Sequence, residues 1–247
     1  MLTSFDIIIP AFNEGPNLKL VFSEIESRIR YDDDSYELFF LIDGSTDFSR
    51  EILNEISIKC NKSKIKISIL DSPMRLGYSK AISRCLELCT SSFICFFEAD
   101  GQWLFDDIYA ATRSIRTNQE LEIISGERKQ RSDSLFRKIS SNFFKFFYRI
   151  LTKNLQKDPS CPFIVIRNDL MLKVNRVYKQ RMSYGFWWEW NAHLNKICNT
   201  RSYMKLNHKS RKTGKSKVYV PFKLLKLFLS HFSALFLLHQ DLKASNV

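Results

Sequence analysis

The sequence predicts an α/β fold with a mostly parallel central sheet flanked by helices. Short apolar runs alternate with amphipathic segments, and acidic motifs follow several of the runs. The runs are rich in isoleucine and phenylalanine and continuously apolar, which is typical of strands buried on both faces. Six runs fit this description: Phe5–Ile9, Leu38–Ile42, Ile65–Leu70, Phe93–Phe97, Leu121–Ser125 and Phe163–Arg167.

The amphipathic segments between the first four runs predict helices. Pro16 suits the first turn of the first helix, where its missing N–H is not needed, and Asp47 or Ser49 suits the cap of the second. The order βαβαβαβ predicts right-handed crossovers, with ligands at the carboxyl ends of the strands. The predicted helices are Pro16–Arg30, Ser49–Cys60 and Ser79–Leu88.

Charge is distributed unevenly along the 247 residues, whose net charge is +12. Residues 1–127 contain 21 acidic and 13 basic side chains, whereas residues 128–247 contain 5 acidic and 25 basic ones. The first part therefore has a net charge of −8 and the second a net charge of +20. Such asymmetry predicts an anionic partner for the second part: a membrane surface, a phosphate or nucleic acid.

The cysteine pattern and the amino-terminal residues both indicate where in the cell the protein is expected. The six cysteines form no CxxC pair, so we expect reduced, mostly buried thiols, as at a cytoplasmic face. The first residues lack the basic region and apolar core of a signal peptide, so none is predicted.

Acidic residues follow three of the predicted strands. Glu98 and Asp100, one residue apart, follow the fourth; this spacing suits a hard divalent cation such as Mg²⁺ or Mn²⁺. Asp43 follows the second run and Glu14 the first. Taken singly, each motif could be an ordinary turn, and Asp100 could instead cap a helix near Trp103. Their coincidence at one sheet edge favours a shared site.

Several motifs together resemble a known family. IIIPAFNE, LIDGSTD, RLGYSKAISRCLE and FFEADGQ resemble, in order and spacing, the nucleotide-sugar half of a family 2 glycosyltransferase with the GT-A fold. SGERKQR, DPSCPF and HKSRKTGKSK resemble its polyprenyl-phosphate branch, which includes dolichyl-phosphate mannose synthase. The resemblance covers about residues 5–217.

The resemblance implies three groups of site residues. Those that bind the nucleotide sugar are Pro10, Ala11, Asn13, Glu14, Asp43, Gly77, Lys80 and Ala99. Those that coordinate Mg²⁺ or Mn²⁺ on the diphosphate are Glu98, Asp100 and Gln102. Those that bind the acceptor and its phosphate are Arg128, Arg131, Arg137, Arg211, Ser216 and Lys217. The predicted catalytic residues are Asp100, Arg128, Arg211 and Glu189.

Three positions depart from the family pattern. Ile42 precedes Asp43 where the family usually has a second acid, and Glu98 stands where aspartate is usual. Residues 75–79, Arg-Leu-Gly-Tyr-Ser, replace the usual Asn-x-Gly-Lys-Gly. No charge that the chemistry requires is lost, so we expect an active enzyme; a silent one is the alternative.

The resemblance implies an inverting, metal-dependent transferase that moves a sugar from a nucleoside diphosphate to a polyprenyl phosphate of undecaprenyl or dolichyl type. Such a phosphate is already ionised near neutral pH and needs positioning rather than a base. The alternative acceptor is a hydroxyl of a lipid-linked or cell-surface glycan, which needs a base. Glu189, in the sequence FWWEW, is the candidate base; otherwise it is a residue of a helix packed by tryptophans.

Two segments predict amphipathic helices at a membrane interface. Leu135–Lys153 and Pro221–Leu238 interleave aromatic and basic residues. The uncharged run Leu227–Gln240 has 14 residues, whereas a crossing needs about 20. We therefore expect a peripheral or monotopic protein at the cytoplasmic face of a membrane; core packing or a dimer contact is the alternative.

The predicted organisation is one GT-A domain followed by an appendage. The domain spans residues 1–218, with a nucleotide-sugar half at 1–127 and an acceptor half at 128–218; the membrane-associating helix and tail span 219–247. Whether the protein forms a homo-oligomer or binds membrane partner proteins is left open by the sequence. A non-catalytic membrane or nucleic-acid-binding protein is a remote alternative, and the chain lacks zinc-finger and RNA-recognition motifs, so no nucleic-acid partner is expected.

Overall fold

The computed structural model describes residues 3–60, 65–129, 135–178, 186–206 and 224–244. Within these ranges, one sheet is formed by β1 (Ser4–Pro10), β2 (Ser35–Asp43), β3 (Ile65–Ser72), β4 (Phe93–Phe96), β5 (Ile123–Arg128), β6 (Ile164–Arg167) and β7 (Arg201–Leu206). The helices are α1 (Gly15–Ile29), α2 (Ser49–Cys60), α3 (Tyr78–Leu86), α4 (Phe105–Thr117), α5 (Leu135–Thr152), α6 (Asn168–Tyr178), α7 (Phe186–Ile197) and α8 (Leu224–Ala244).

The sheet is mostly parallel, with the strand order β3-β2-β1-β4-β6-β5-β7. β6 is antiparallel to both neighbours, β4 and β5, while the other pairings are parallel. The carboxyl ends of β1, β2, β4 and β5 therefore lie at one edge of the sheet. The segment that leads into β6 reaches the same edge, because β6 runs in the opposite direction.

Apolar side chains cover both faces of the sheet, as the continuous runs predicted. In β1, Ile7 and Ile9 belong to one buried cluster and Ile8 belongs to another. A third cluster joins α5, α7 and α8 through Tyr148, Trp188 and Leu235. α7 therefore lies between the sheet and the α5–α8 pair.

The predicted α/β class is confirmed, and so are the six predicted strands and the first three helices. α1 begins at Gly15 with Pro16 in its first turn, and α2 has the predicted bounds. Asp47 accepts hydrogen bonds from the Ser49 N–H at 3.1 Å and from the Gly15 N–H at 3.0 Å. Burial alone would raise the pKa of Asp47, but hydrogen bonds from Ser49 and Gly15 hold it below its ordinary value.

Three elements, α4, α6 and β7, were not predicted. β7 has mostly exposed or half-buried side chains, so it lacks the apolar run that identified the other strands. The predicted helices around residues 135–153 and 221–238 correspond to α5 and α8, and α8 extends to Ala244. None of the described helices has the length and apolar character that crossing a membrane requires. The predicted boundary at 218/219 lies outside the described residues.

Candidate active site

The loops after β1 and β2 are tied together at the carboxyl edge of the sheet. Asn13 has a φ of +54°, in the left-handed region, and its Oδ1 accepts the Thr46 N–H at 2.8 Å. The Asn13 N–H donates to Ser45 Oγ at 3.0 Å, and the Ser45 hydroxyl donates to the Ala11 carbonyl at 3.0 Å. Asparagine suits this position because its short polar side chain tolerates the left-handed region and bonds locally.

Asp43 anchors the loop that joins β3 to α3. It ends β2, is 7 % exposed, and accepts the N–H groups of Leu76 at 2.6 Å and Gly77 at 2.9 Å. Gly44, with φ +65°, lets this loop approach, because a Cβ there would lie 2.6 Å from the Arg75 nitrogen. The Asp43 carboxylate therefore shapes the edge of the site, and the loop brings Gly77 next to it.

Glu98 and Asp100 follow β4 at the same edge. Asp100 is 6 % exposed, and its Oδ1 accepts the Gln102 N–H at 3.1 Å across a turn in which Gly101 has a φ of +69°. α4 begins at Phe105 with no side-chain cap, and the Phe105 N–H donates to Glu24 of α1. The alternative that Asp100 caps this helix is therefore wrong.

Glu98 is held by two aromatic donors. Its Oε2 accepts the indole N–H of Trp103 at 3.2 Å, and its Oε1 lies 3.4 Å from the Tyr78 hydroxyl. Tyr78 is 36 % exposed as a whole residue, but desolvation of its hydroxyl among the neighbouring side chains raises its pKa above the ordinary value, and the charges of Glu98 and Asp100 raise it further. Both carboxylates therefore act on the same phenol, which places them in one neighbourhood.

Arg128 lies at the carboxyl end of β5 and forms a fork with Asp158. Its Nε and one terminal nitrogen donate to the two Asp158 oxygens at 2.5 Å and 2.7 Å, and both side chains are largely buried. Burial would lower the pKa of Arg128, but the Asp158 charge, its hydrogen bonds and the charges of further neighbours, Glu98 among them, together outweigh it and the pKa is raised. Arg128 is therefore a fixed cation near Glu98.

The acidic pair fits a divalent cation that arrives with a phosphate ligand. Within the described ranges, no group of three or more His, Cys, Asp or Glu side chains could hold a metal. Mg²⁺ usually binds one or two carboxylates and takes its remaining ligands from phosphates and water. Glu98 and Asp100 supply that number of carboxylates.

The other predicted nucleotide-sugar residues lie at or beside the same edge. Ala11 and Ala99 are buried in the core, so only their backbone atoms are available to a ligand. Pro10 ends β1, and Lys80 is exposed in the first turn of α3. Glu14 accepts a hydrogen bond from Asn17 Nδ2 at 2.8 Å within its own turn.

Glu189 lies in the first turn of α7 and is 6 % exposed. Its neighbours Trp188 and Trp190 belong to different buried clusters, so the interpretation as a packed helix holds for this segment. A carboxylate in the first turn is also favoured by the helix dipole. A role for Glu189 as a base stays a prediction.

Comparison with known proteins identifies the family. Residues 6–174 match the family described as Glycosyl transferase family 2. The chain belongs to glycosyltransferase family 2. This confirms the predicted enzyme class at the level of the family.

The curated relatives of this family 2 chain are distant. It is 26 % identical over 152 residues to CsbB of Bacillus subtilis strain 168, covering 61 % of this chain and 44 % of CsbB. It is 22 % identical over 179 residues to the undecaprenyl-phosphate 4-deoxy-4-formamido-L-arabinose transferase of Pectobacterium atrosepticum, covering 72 % of this chain and 53 % of that protein. The chain thus spans about half the length of these relatives.

Solved structures confirm the GT-A-like fold. Glucosyl-3-phosphoglycerate synthase from Mycobacterium tuberculosis, in complex with Mn²⁺, UDP and glucosyl-3-phosphoglycerate, has a TM-score of 0.68 at 14 % identity, covering 96 % of this chain and 80 % of that one. The mannosyltransferase PcManGT from Pyrobaculum calidifontis, in complex with GDP-Man and Mn²⁺, has a TM-score of 0.64 at 11 % identity, covering 96 % and 65 %. At these identities the likeness concerns the fold.

Several predicted phosphate-binding residues of this family 2 chain cannot be placed. Arg131, Arg211, Ser216 and Lys217 lie outside the described residues; Arg137 belongs to the first turn of α5, and its side chain also lies outside the described part of the structure.

The structure also adds residues that were not predicted for the site. Tyr78 and Trp103 contact Glu98, Trp187 contacts Tyr78, and Asp158 contacts Arg128. The DPSCPF motif already contained Asp158, but its partner is 30 residues away.

Asp158→Asn should destabilise this family 2 chain by about 3 kcal/mol, because it leaves the buried Arg128 cation without its counter-charge. The matched control is Asp169→Asn, which breaks a half-exposed pair with Arg167 and should change stability by less than about 1 kcal/mol. Urea unfolding of the three proteins measures both effects. Equal stability of the two variants would contradict the buried fork.

Proposed function

We propose that the chain is a metal-dependent, inverting glycosyltransferase that moves a sugar from a nucleoside diphosphate to a polyprenyl phosphate at the cytoplasmic face of a membrane. The observation that carries the proposal is the pair Glu98 and Asp100, one residue apart at the edge that Asp43 also occupies. The solved neighbours that contain Mn²⁺ with UDP or GDP-Man support the donor class.

The role of each group follows from charge. Mg²⁺ or Mn²⁺, held by Glu98 and Asp100 beside Gln102, would neutralise the negative charge that grows on the leaving diphosphate. Arg128 adds a fixed positive charge near Glu98, and its Asp158 partner keeps the guanidinium oriented. The loops tied by Asn13, Ser45 and Asp43 form the wall against which the nucleoside binds.

Two observations support a lipid phosphate as the acceptor. The relative from Pectobacterium atrosepticum is named for transfer involving undecaprenyl phosphate. Residues 128–247 carry the excess of basic side chains and include Arg128. A dianionic phosphate needs cations and positioning, whereas a hydroxyl needs a base that takes its proton.

A surface of α5 and α8 supports the membrane location. We call it the α5–α8 face; its exposed apolar residues are Phe143, Phe146, Ile150, Leu229, Phe236 and Leu237. The two helices lie side by side, since the Phe232 ring is 5.7 Å from that of Phe143 and 5.5 Å from that of Phe147. Arg149 and Lys153 are exposed on or just after α5. Exposed aromatic and aliphatic groups beside basic ones suit an interface with anionic lipid.

α8 has one packed and one exposed face; the first fits the interpretation as core packing, and the second is the face proposed to meet the membrane. Leu235, Leu238 and Leu242 pack against α5 and α7, whereas Phe236 and Leu237 face outward. In the proposed organisation, α8 is the membrane-associating appendage of the domain that ends near residue 218.

Purified protein given radiolabelled nucleotide sugars, polyprenyl phosphate and Mn²⁺ should transfer label to the organic phase. EDTA should abolish transfer, and excess Mn²⁺ should restore it. Asp100→Ala should reduce the rate about a hundredfold or more, because the charge on the leaving group loses its counter-charge. Asp106→Ala, which removes a half-exposed partner of Arg28, is the control and should stay active. Transfer that is insensitive to EDTA and to Asp100→Ala would refute the proposal.

Glu189→Gln separates the two acceptor classes in the same assay. With a phosphate acceptor the rate should change little, since no proton has to be removed. With a hydroxyl acceptor and Glu189 as base, a loss of about a hundredfold or more is expected. An unchanged unfolding midpoint is the control for intact packing, because Glu189 is buried. A large loss with polyprenyl phosphate and an unchanged midpoint would contradict the prediction that this acceptor does not depend on Glu189.

Phe146→Ser together with Ile150→Ser should weaken binding to vesicles by about tenfold or more, since each exposed side chain contributes about 1.5 kcal/mol or more when inserted. The measurement is flotation with phosphatidylglycerol vesicles, compared with phosphatidylcholine vesicles. Ile58→Ser, at an exposed apolar residue of α2, is the matched control and should bind like the wild type. Equal binding by all three proteins would argue against the α5–α8 face.

A further inference from the structure

Tyr78 joins Glu98 to α7 through two hydrogen bonds. The indole N–H of Trp187, in α7, donates to the Tyr78 oxygen at 3.1 Å. An indole can only donate, so the Tyr78 oxygen must accept this bond, and its own proton is left for another acceptor. Glu98 Oε1, at 3.4 Å, accepts it. The bonds therefore run in one direction, from Trp187 to Tyr78 to Glu98.

Tyr78 is 36 % exposed, and its ring packs on one side against α7. It makes edge contacts with Phe186 at 5.6 Å and Trp187 at 6.1 Å, and Trp187 in turn packs edge-on against Phe96 of β4 at 4.9 Å. Such contacts limit the ring's freedom to leave Glu98. The phenol thus lies between α3, which it begins, and α7.

Both oxygens of Glu98 are consequently directed by aromatic donors. Trp103 donates to Oε2 and Tyr78 to Oε1. Hydrogen bonds of this kind fix the direction in which a carboxylate presents its remaining lone pairs, and removing such a partner from a metal ligand typically weakens metal binding about 10- to 100-fold.

We propose that Tyr78 is a positioning residue that acts through Glu98 and couples α7 to the carboxylate pair. This inference rests on the proposed function. The hydroxyl orients Glu98 toward the cation, and any shift of Glu98 when the cation and diphosphate bind is passed through Tyr78 to the indole of Trp187. Trp187 is two residues from Glu189, so the coupling links the donor side of the site to the helix that carries the candidate acceptor residue.

The indole ¹⁵N–¹H signals of the four tryptophans report on this coupling without an activity assay. They are assigned by replacing each tryptophan with phenylalanine. In the absence of metal, Tyr78→Phe should move the Trp187 signal, because the indole loses its acceptor while the ring remains. Adding Mg²⁺ with UDP, and in parallel Mg²⁺ with GDP, to the wild type should move the Trp103 and Trp187 signals together.

In Tyr78→Phe, Mg²⁺ with the same nucleotide should still move the Trp103 signal but no longer the Trp187 signal. Affinity for Mn²⁺, measured from the free-ion electron paramagnetic resonance signal in the presence of the nucleotide, should fall about tenfold. Tyr31→Phe, which removes a hydroxyl at a highly exposed site, is the control and should match the wild type in both measurements.

Glu98→Asp provides a second route if Tyr78→Phe folds poorly. The shorter side chain keeps the carboxylate but withdraws it from Tyr78, so it should also uncouple the Trp187 signal. The double variant should then bind Mn²⁺ no more weakly than either single variant, since both break one interaction.

The outcomes separate the coupling from the proposed function. A Trp187 response that persists in Tyr78→Phe, or additive losses in the double variant, would overturn the coupling and leave the transferase proposal intact. If the tryptophan signals of the wild type do not change on addition of Mg²⁺ with either nucleotide, the coupling and the transferase proposal are both refuted, because Glu98 would not be at a metal site.

Discussion

Burial of the central sheet on both faces is the constraint on which the site depends. Ile7 and Ile8 point to opposite clusters, so β1 cannot turn over without exposing apolar side chains. The registers Ile8 with Phe96 and Pro10 with Leu41 then place the residues that follow these strands at one edge. Asp43 ends β2 and is buried, so a slip of β2 would separate its carboxylate from the Leu76 and Gly77 N–H groups, and a buried carboxylate without such partners is strongly unfavourable. The acids are therefore gathered by hydrophobic packing rather than by attraction to each other.

The strands, and the position of the site at the carboxyl edge of the sheet, were predictable because both depend on the pattern of apolar residues along the chain. A continuous apolar run identifies a two-sided strand, and parallel topology fixes which end binds ligands. β7 was missed because an edge strand with exposed side chains has no such run. The convergence of Glu98, Asp100 and Asp43 followed from the topology alone.

The contacts around these acids were not predictable, because they join positions that are far apart in the sequence. Tyr78 and Trp187 are separated by 109 residues, and Arg128 and Asp158 by 30. Neither pair follows from helical or strand spacing; the first depends on how α3 meets α7, and the second on how the end of β5 meets the segment before β6. Sequence pattern therefore indicates which residue types reach the edge, while the hydrogen bonds that orient them require the packed molecule.

The departures from the family pattern become interpretable in three dimensions. Ile42 is buried in the core beside the strand end, so this position strengthens packing instead of supplying an acid. Glu98 and Tyr78, which stand where aspartate and lysine are usual, contact each other. The longer acid and the phenol thus occur as a pair. Arg75, from the same altered loop, stacks over the Phe12 ring at 4.1 Å and joins the loops after β1 and β3.

α7 connects the acidic edge to the basic half of the chain. Adjacent residues on it point in opposite directions: Trp187 packs against Phe96 and Tyr78, whereas Trp188 packs against Tyr148 and Phe144 of α5. The Tyr148 hydroxyl also donates to the Trp188 carbonyl at 2.9 Å. A displacement of α5 and α8 would therefore also displace Trp188 of α7, which is one residue from the indole that contacts Tyr78. Under the proposed function, α7 would join the α5–α8 face, which is proposed to meet the lipid, to the carboxylates that are proposed to hold the cation on the nucleotide.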